Sequence, residues 1–254
     1  MLFRSTPVVR ERYWLTFQPG EVRVCASCHG INSKNQLNQA PPTNTPSALT
    51  ALLQYWKTLQ ANAPQTPAGF TAAAATTTSI NVSWTASTGA TANTQYEVQR
   101  ASAGSSFATV KTTAATSFSD PVSAGNTYVY KVRAIDATVG NSGYSAPDAA
   151  TTIVFTDDPV VAHSTGVKAV HLTELRQAIN AMRAAAGLTA TTFADPSLGT
   201  LKIRALHFQE MRTALTQART SLGLGPVVFT DPTINAGTTS VRAAHLQELR
   251  NAVK

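Results

Sequence analysis

The chain has 254 residues and a formal net charge of +7. This length allows two or three small domains with separate cores, and one large core is the less expected plan. The basic residues are scattered and no DNA- or RNA-reading motif accompanies them, so nucleic acid is not an expected partner. No apolar run approaches the roughly 20 residues that cross a bilayer, so no membrane span is predicted.

Residues 1–63 contain the pentapeptide Cys-Ala-Ser-Cys-His at positions 25–29. This spacing is the attachment motif for c-type haem. On one helical turn the sulfurs of Cys25 and Cys28 share a face and can both form thioethers with the porphyrin, while His29 presents its imidazole to the iron. The motif therefore predicts one covalent haem c, bound through Cys25 and Cys28, with His29 as an axial ligand.

Other interpretations of the same pentapeptide stay open. Cys25 and Cys28 could form a simple disulfide in a secreted protein. A thioredoxin-like redox pair is less favoured, because no βαβ pattern surrounds the motif. Structural zinc is disfavoured, because four protein ligands are needed and the region offers no second ligand pair.

A helix is predicted over residues 46–60, with Thr45 as its N-cap and Pro46 in its first position. Its apolar face carries Leu49, Leu52, Leu53, Trp56 and Leu59. With Cys-His-Gly at 28–30, this segment resembles the closing part of a cytochrome-c-like domain. The resemblance implies a second axial ligand, yet residues 30–67 contain neither methionine nor histidine.

Three sources of that second axial ligand remain. The iron could keep an open position, or residues upstream of the sequence could supply the ligand. A histidine from elsewhere in the chain or from a neighbouring molecule is the third source, and the histidines in question are His163, His171, His207 and His245.

Residues 64–152 follow a Pro-rich stretch at 62–67 that is predicted to be a stiff linker. Apolar side chains alternate at 79–84 and 128–134, which is typical of half-buried strands. Trp84, Tyr96 and the run Gly-Asn-Thr-Tyr at 125–128 make the segment similar to a fibronectin type III domain. The resemblance implies an all-β sandwich in which the hydroxyl of Tyr128 bonds back to the backbone.

Residues 153–254 contain three copies of one pattern, with predicted bounds of 153–190, 191–226 and 227–254. Each copy has a Phe-x-Asp motif followed by His-x-x-Glu-x-Arg, and the copies begin at Phe155, Phe193 and Phe229. The pattern predicts three helices that form a bundle or solenoid. The predicted buried face of the first helix consists of Val167, Val170, Leu175, Ala178, Ile179 and Met182, and Gly187 and Gly223 are predicted C-caps.

The repeated histidines His171, His207 and His245 could converge on a metal. The favoured interpretation is structural, with each histidine pairing with the glutamate three residues later. The third copy ends without a capping unit, which predicts a free apolar edge and self-association.

The expected fold class is multidomain and mixed: a small α-helical haem segment, an all-β sandwich and an α-helical repeat bundle. Haem c is attached outside the cytoplasm, so a bacterial secreted, periplasmic or cell-surface protein is expected. Residues 1–20 lack the apolar core of a signal peptide, so we infer that a signal lies upstream.

The expected function is electron transfer, with the other modules acting as spacer and docking surface for an electron-transfer partner or another surface protein. The alternative is a surface or matrix interaction protein in which the haem is a structural staple. An enzyme such as a peroxidase is less favoured, because no arginine and histidine pair near Cys28 marks a peroxide site.

Overall fold

The computed structural model describes residues 63–199 and 201–254, all within one compact unit, Ala63–Lys254. Cys25, Cys28, His29 and the predicted helix over 46–60 lie outside the described residues. Across the described ranges, no helix is both long and apolar enough to cross a membrane.

Seven antiparallel strands form two sheets in the first part of the described chain. One sheet has the order β1-β2-β5 and the other the order β4-β3-β6-β7. The strands are β1 (Ala68–Thr76), β2 (Ser79–Thr85), β3 (Gln95–Ser102), β4 (Ala108–Thr113), β5 (Ser117–Pro121), β6 (Thr127–Ile135) and β7 (Asp148–Thr151). The two sheets bury their facing side chains against each other, as a β-sandwich does.

The sandwich core follows the alternation seen in the sequence. Ile80, Val82 and Trp84 point inward from β2, and Val132 and other alternate residues point inward from β6. The ring of Trp84 packs edge-on against Tyr96, with 5.4 Å between ring centroids. The predicted role of Tyr128 is confirmed, because its hydroxyl accepts a hydrogen bond from the backbone N–H of Ser123 at 3.0 Å.

The Pro-rich stretch before β1 lies on the sandwich. Pro64 and Pro67 are buried, and the backbone N–H of Gln65 donates to the carbonyl of Thr88 at 2.8 Å. The stretch predicted to be a stiff linker is therefore, over residues 63–67, packed against the sandwich and is not a spacer standing apart from it. Proline stiffens the stretch, but buried rings and a backbone hydrogen bond fix its position.

Three helices follow the sandwich, and every pair of them is in contact. They are α1 (Ala169–Ala185), α2 (Ala205–Ser221) and α3 (Ala243–Val253). The C-cap prediction is confirmed for Gly187 and Gly223, whose φ angles are 69° and 70°. Such left-handed positions favour glycine, which has no Cβ to clash.

The buried face of α1 differs from the prediction in its first turn. Leu175, Ala178, Ile179 and Met182 are fully buried, as predicted, whereas Val170 is 41% exposed. His171 and Leu172 are buried in its place. A polar histidine takes an inward position because its ring nitrogens are satisfied by hydrogen bonds, which removes the cost of burial.

The helices pack on the outer face of the four-stranded sheet, where α1 contacts β3, β6 and β7. Val129 and Ala149 point away from the sandwich interior and join the apolar core of the helices. The backbone N–H of Gly104 donates to the carbonyl of Ala185 at 3.3 Å. The helical region is thus joined to the sandwich by a shared apolar core.

Candidate functional site: the polar clusters of the helical region

Each helix is preceded by a short segment that we call its leading loop: residues 155–159, 193–196 and 229–232 for loops 1, 2 and 3. In the first copy, the Nδ1 atom of His171 accepts a hydrogen bond from the backbone N–H of Lys168 at 3.2 Å. The Nε2 atom of His171 lies 3.0 Å from the Oδ2 atom of Asp157 in loop 1. Because Nδ1 accepts, Nε2 carries the proton and donates it to Asp157.

The other two copies repeat this arrangement. His207 bonds to the backbone of Arg204 at 3.2 Å and to Asp195 at 3.0 Å, and His245 bonds to the backbone of Arg242 at 3.3 Å and to Asp231 at 2.6 Å. All three imidazoles are fully buried. Since both ring nitrogens of each imidazole already have partners, none of them offers a lone pair to a metal or haem iron.

The three aspartates are held in their charged form. The side chain of Lys168, followed by His171, holds the pKa of Asp157 below its ordinary value. His207 and Arg204 lower the pKa of Asp195, and His245 lowers the pKa of Asp231. Hydrogen bonds and nearby positive charge both favour a carboxylate over a carboxylic acid.

The glutamates do not pair with the histidines, so the predicted intrahelical pairing is wrong. Glu174 accepts hydrogen bonds from the backbone N–H of Thr156 at 2.9 Å and from its hydroxyl at 2.5 Å. Glu210 and Glu248 likewise accept from the backbone N–H groups of Ala194 and Thr230. Each helix therefore holds its own leading loop through both a histidine and a glutamate.

Buried arginines connect each helix to the next leading loop, in a contact that we call a seam. In seam 1, the guanidinium of Arg176 donates to the carbonyls of Ala194 and Asp195 at 2.9 and 2.8 Å. Its carbon lies 4.9 Å from the ring centroid of Phe193. In seam 2, Arg212 donates to the carbonyl of Asp231 at 2.6 Å and stacks on Phe229 at 4.0 Å.

Seam 3 returns from the last helix to the first leading loop. Arg250 donates to the carbonyls of Asp157 and Thr156 at 2.8 and 2.7 Å and stacks on Phe155 at 5.0 Å. Gln247 accepts a hydrogen bond from the backbone N–H of Val160 at 3.0 Å. The three units thus close into a ring, and the predicted free edge at the third copy is wrong because α3 covers loop 1.

The sequence pattern had marked the histidines and glutamates of these copies but not the role of the arginines. The sequence signal for the seams is the arginine five residues after each histidine, at Arg176, Arg212 and Arg250.

Within the described part of the chain, no group of three or more His, Cys, Asp or Glu could hold a metal ion. His163 lies apart from the clusters, exposed on a loop with a φ of 61°.

A second polar cluster lies on the outer face of the four-stranded sheet. The Nε atom of Arg133 lies 2.5 Å from a carboxylate oxygen of Glu97, and the hydroxyl of Tyr144 donates to the same carboxylate at 3.0 Å. The Lys131 ammonium lies 4.2 Å from the ring centroids of both Phe107 and Tyr144.

Hydrogen bonds determine the direction in which the pKa of Glu97 shifts in this second cluster. Burial works to raise the pKa of Glu97, but hydrogen bonds from Thr109, Arg133, Tyr144 and Gln99 outweigh it and lower the pKa to about 2. The Glu97 carboxylate is therefore charged at neutral pH and fully engaged within the sheet.

The sandwich matches a known family, the fibronectin type III domain, over residues 62–151. Exoglucanase B of Cellulomonas fimi is 44% identical over 92 residues, which are 36% of this chain and 8% of that protein. The chain therefore spans a small fraction of the length of this relative.

Three solved structures are similar to part of this chain. Domains A168–A170 of titin match 34% of this chain and 30% of their own, with 23% identity and a TM-score of 0.31. The FN5 domain of Drosophila Lar matches 34% of this chain and 92% of its own, with 20% identity and a TM-score of 0.29. A β-1,2-glucanase from Parabacteroides distasonis matches 48% of this chain and 15% of its own, with 22% identity and a TM-score of 0.30.

The alternating strands, the Tyr128 contact and the family match agree on the sandwich. The family match and the similarity to an exoglucanase support an extracellular context for the chain. Residues 62–151 are a fibronectin type III domain.

Proposed function

We propose that this chain is an extracytoplasmic c-type haem protein of bacterial origin, in which the fibronectin type III domain and the helical ring form one rigid docking and spacer unit. The haem proposal rests on the Cys-x-x-Cys-His motif, since two thiols and an adjacent imidazole are the donor set that c-type haem requires. Cys25 and Cys28 would carry the thioether bonds, and His29 would bind the iron. The haem would supply reversible one-electron transfer.

The proposal that the sandwich and the helical region act as a docking and spacer unit rests on their shared apolar core. Val129 and Ala149 of the sandwich belong to the same buried cluster as Leu172 and Ile179 of α1. Inter-domain contacts inside a chain permit motion unless they are apolar and tightly packed. A rigid pair would offer a redox partner one preformed docking surface.

The contacts of His171, His207 and His245 argue against these three histidines as the second axial ligand of the proposed haem. His171, His207 and His245 are fully buried and use both nitrogens, so iron binding would require breaking their hydrogen bonds to Asp157, Asp195 and Asp231. Their roles support packing of the ring and not ligation. The proposed alternatives are an open iron position, a ligand from upstream residues, His163, or a histidine of a neighbouring molecule.

The mass of natively produced protein tests this proposal. Protein made in a host with c-type maturation should carry one haem, which is seen as an added mass that survives denaturation. The variant Cys25→Ser with Cys28→Ser should lose that mass, whereas His29→Ala should keep covalent attachment but change the spectrum. A native chain whose Cys25 and Cys28 form a disulfide, without haem mass, would refute the haem proposal.

A second candidate function is surface or matrix association with the haem as a structural staple. The observation that favours it is the segment shared with Exoglucanase B, which forms 8% of that protein and is therefore a module that accompanies other parts. Under this alternative, the Cys25→Ser, Cys28→Ser chain should still bind the producing cell surface. Under the electron-transfer proposal, the same variant should no longer accept electrons from its redox partner.

A further inference from the structure

A cavity of about 340 Å³ lies along the outer side of α2. Gln209, Thr213 and Gln217 follow one another at intervals of about one turn and are exposed, and Ala214 beside them is buried. The lining residues are Thr191, Gln209, Glu210, Thr213, Ala214 and Gln217. None of these six side chains carries a positive charge or an aromatic ring. The cavity therefore presents hydroxyl, amide and carboxylate groups.

Hydrogen bonds to the rest of the ring hold the polar side chains of this cavity in place. The amide oxygen of Gln217 accepts from the Arg183 guanidinium at 2.7 Å, and the Nε2 atom of Gln209 donates to the carbonyl of Ile234 at 2.6 Å. The hydroxyl of Thr213 donates to the backbone carbonyl of Gln209 at 2.9 Å. Groups that are fixed before a ligand arrives lose little conformational entropy when it binds.

The same hydrogen bonds determine what each group still offers to a ligand. Because a guanidinium only donates, Arg183 holds the amide oxygen of Gln217 and leaves the NH2 group of that amide to donate. Gln209 keeps its amide oxygen and Thr213 keeps its oxygen lone pairs as acceptors. The carboxylate of Glu210, bonded to the backbone N–H of the residue after Phe193, has further acceptor capacity. The cavity thus combines donors with acceptors.

Two residues of the cavity are polar where the other copies are apolar. Thr191 stands two positions before the phenylalanine of its leading loop, where the other two copies have Ile153 and Val227, and both of these pack against the apolar core. Gln217 has Ala181 as its counterpart in α1. Repeat units duplicate the residues that their packing needs, so packing of the ring does not require Thr191 and Gln217 to be polar. These differences favour a binding role for the cavity of the second copy.

We propose that this cavity is a binding site for an uncharged saccharide. A sugar hydroxyl both donates and accepts, which matches the mixed set of donors and acceptors. The methyl groups and methylene stems of the lining side chains suit the C–H faces of a sugar ring. The Glu210 carboxylate disfavours an anionic ligand, and the lining side chains include no cation to bind a phosphate. The site goes beyond the proposed function, because nothing in it depends on the haem.

A titration followed by nuclear magnetic resonance tests the site. The ¹⁵N-labelled full-length chain is titrated separately with cellobiose, maltose and xylobiose, and the side-chain amide signals of Gln209 and Gln217 are recorded. At least one disaccharide should shift both signals and saturate with a millimolar dissociation constant, since a few hydrogen bonds in an open cavity give modest affinity. Digalacturonate, an anionic disaccharide, should bind at least about tenfold more weakly than that sugar, because Glu210 repels its carboxylates.

Two variants assign the binding to the cavity. Gln217→Glu keeps an oxygen that accepts from Arg183 but removes the NH2 donor, and Thr191→Val removes a hydroxyl while introducing the side chain that the third copy has at this place. Each should weaken disaccharide binding by about tenfold, because one hydrogen bond to the ligand is lost. Gln177→Glu, at an exposed position of α1, should leave the affinity unchanged.

Three results would overturn the proposal. The first is the absence of saturable shifts at Gln209 and Gln217 with all three disaccharides. The second is an affinity of the Gln217→Glu or Thr191→Val variant equal to that of the parent chain. The third is digalacturonate binding as tight as that of the uncharged sugars.

Discussion

Arg250 donates a hydrogen bond of 2.8 Å to the backbone carbonyl of Asp157, 93 residues earlier in the chain. This contact makes the third helix a neighbour of the first leading loop. It also converts a series of three helical copies into a closed ring, in which each helix holds its own leading loop and the next one. Closed rings of repeats bury the apolar faces that open arrays must cap.

Replacing Arg250 with methionine should destabilise the ring. The variant keeps the apolar stem but leaves the carbonyls of Thr156 and Asp157 without this donor, so we expect a loss of roughly 2 to 4 kcal/mol in the free energy of unfolding. Chemical denaturation followed by circular dichroism at helical wavelengths measures it. Lys202→Met is the matched control, since Lys202 is exposed. Equal stability of the two variants would show that seam 3 contributes nothing.

Gly104 and Gly187 bring the sandwich and the helical region into close contact. A Cβ atom on Gly104 would lie 3.2 Å from the Cα of Gly187, and the φ of Gly104 is 71°. Gly104→Ala should therefore lower the melting temperature more than Gly125→Ala, because Gly125 has a similar φ of 77° but nothing within 4 Å of an added Cβ. Both variants carry the backbone strain of a left-handed alanine. Identical melting temperatures of the two variants would contradict this expectation, because they would show that the backbone around Gly104 and Gly187 accommodates the added Cβ atom without loss of stability.

The ring should lose stability in acid through its three aspartates. Their folded pKa values lie below the ordinary value, so this stabilisation is fully present above about pH 4 and is lost as the pH falls through the folded values. Asp157→Asn, Asp195→Asn and Asp231→Asn combined should reduce stability at pH 7 and flatten its pH dependence below pH 4. Urea unfolding midpoints between pH 2 and pH 7 measure this. If the urea midpoint of the triple variant falls below pH 4 as steeply as that of the parent, the three aspartates do not cause the loss of stability in acid.

Trp84 should be a main stabilising residue of the sandwich. It is 6% exposed and packs against Phe70 and Tyr96. Trp84→Ala should cost about 3 to 5 kcal/mol by leaving a cavity. Trp84→Phe should cost less, because the buried indole N–H has no hydrogen-bond partner among the described residues and removing it leaves no donor unsatisfied. Denaturant unfolding monitored by far-ultraviolet circular dichroism compares the two, and a phenylalanine variant as unstable as the alanine variant would contradict this view.

The sandwich was predictable because the patterns that indicate it involve residues close together in the sequence. Alternation in β2 and β6 places Trp84 and Val132 inside, and Tyr128 contacts Ser123 only five residues away. The ring closure was not predictable in the same way, since Arg250 and Asp157 are joined by no local pattern. The histidines were expected to be structural, but their partner is an aspartate 12 to 14 residues upstream and not the glutamate of the same helix turn.

The direction of helical side chains explains the mistaken partner. Side chains on a helix lean toward its N-terminus, so His171, in the first turn of α1, points at the backbone of Lys168 and at loop 1. Glu174, one turn later, leans the same way and reaches Thr156. A spacing of three residues indicates a shared face, but it does not decide whether a nearby loop offers better donors and acceptors.

The absorbance spectrum of the natively produced full-length protein, recorded oxidised and then reduced with dithionite, tests the central claim most directly. If Cys25, Cys28 and His29 hold a c-type haem, an intense Soret band should appear and should shift on reduction, with sharp visible bands that report the iron's ligands. The Cys25→Ser, Cys28→Ser variant, made in the same host, should lack them. A native chain that is colourless in both states, while its sandwich and ring are folded, would contradict the account.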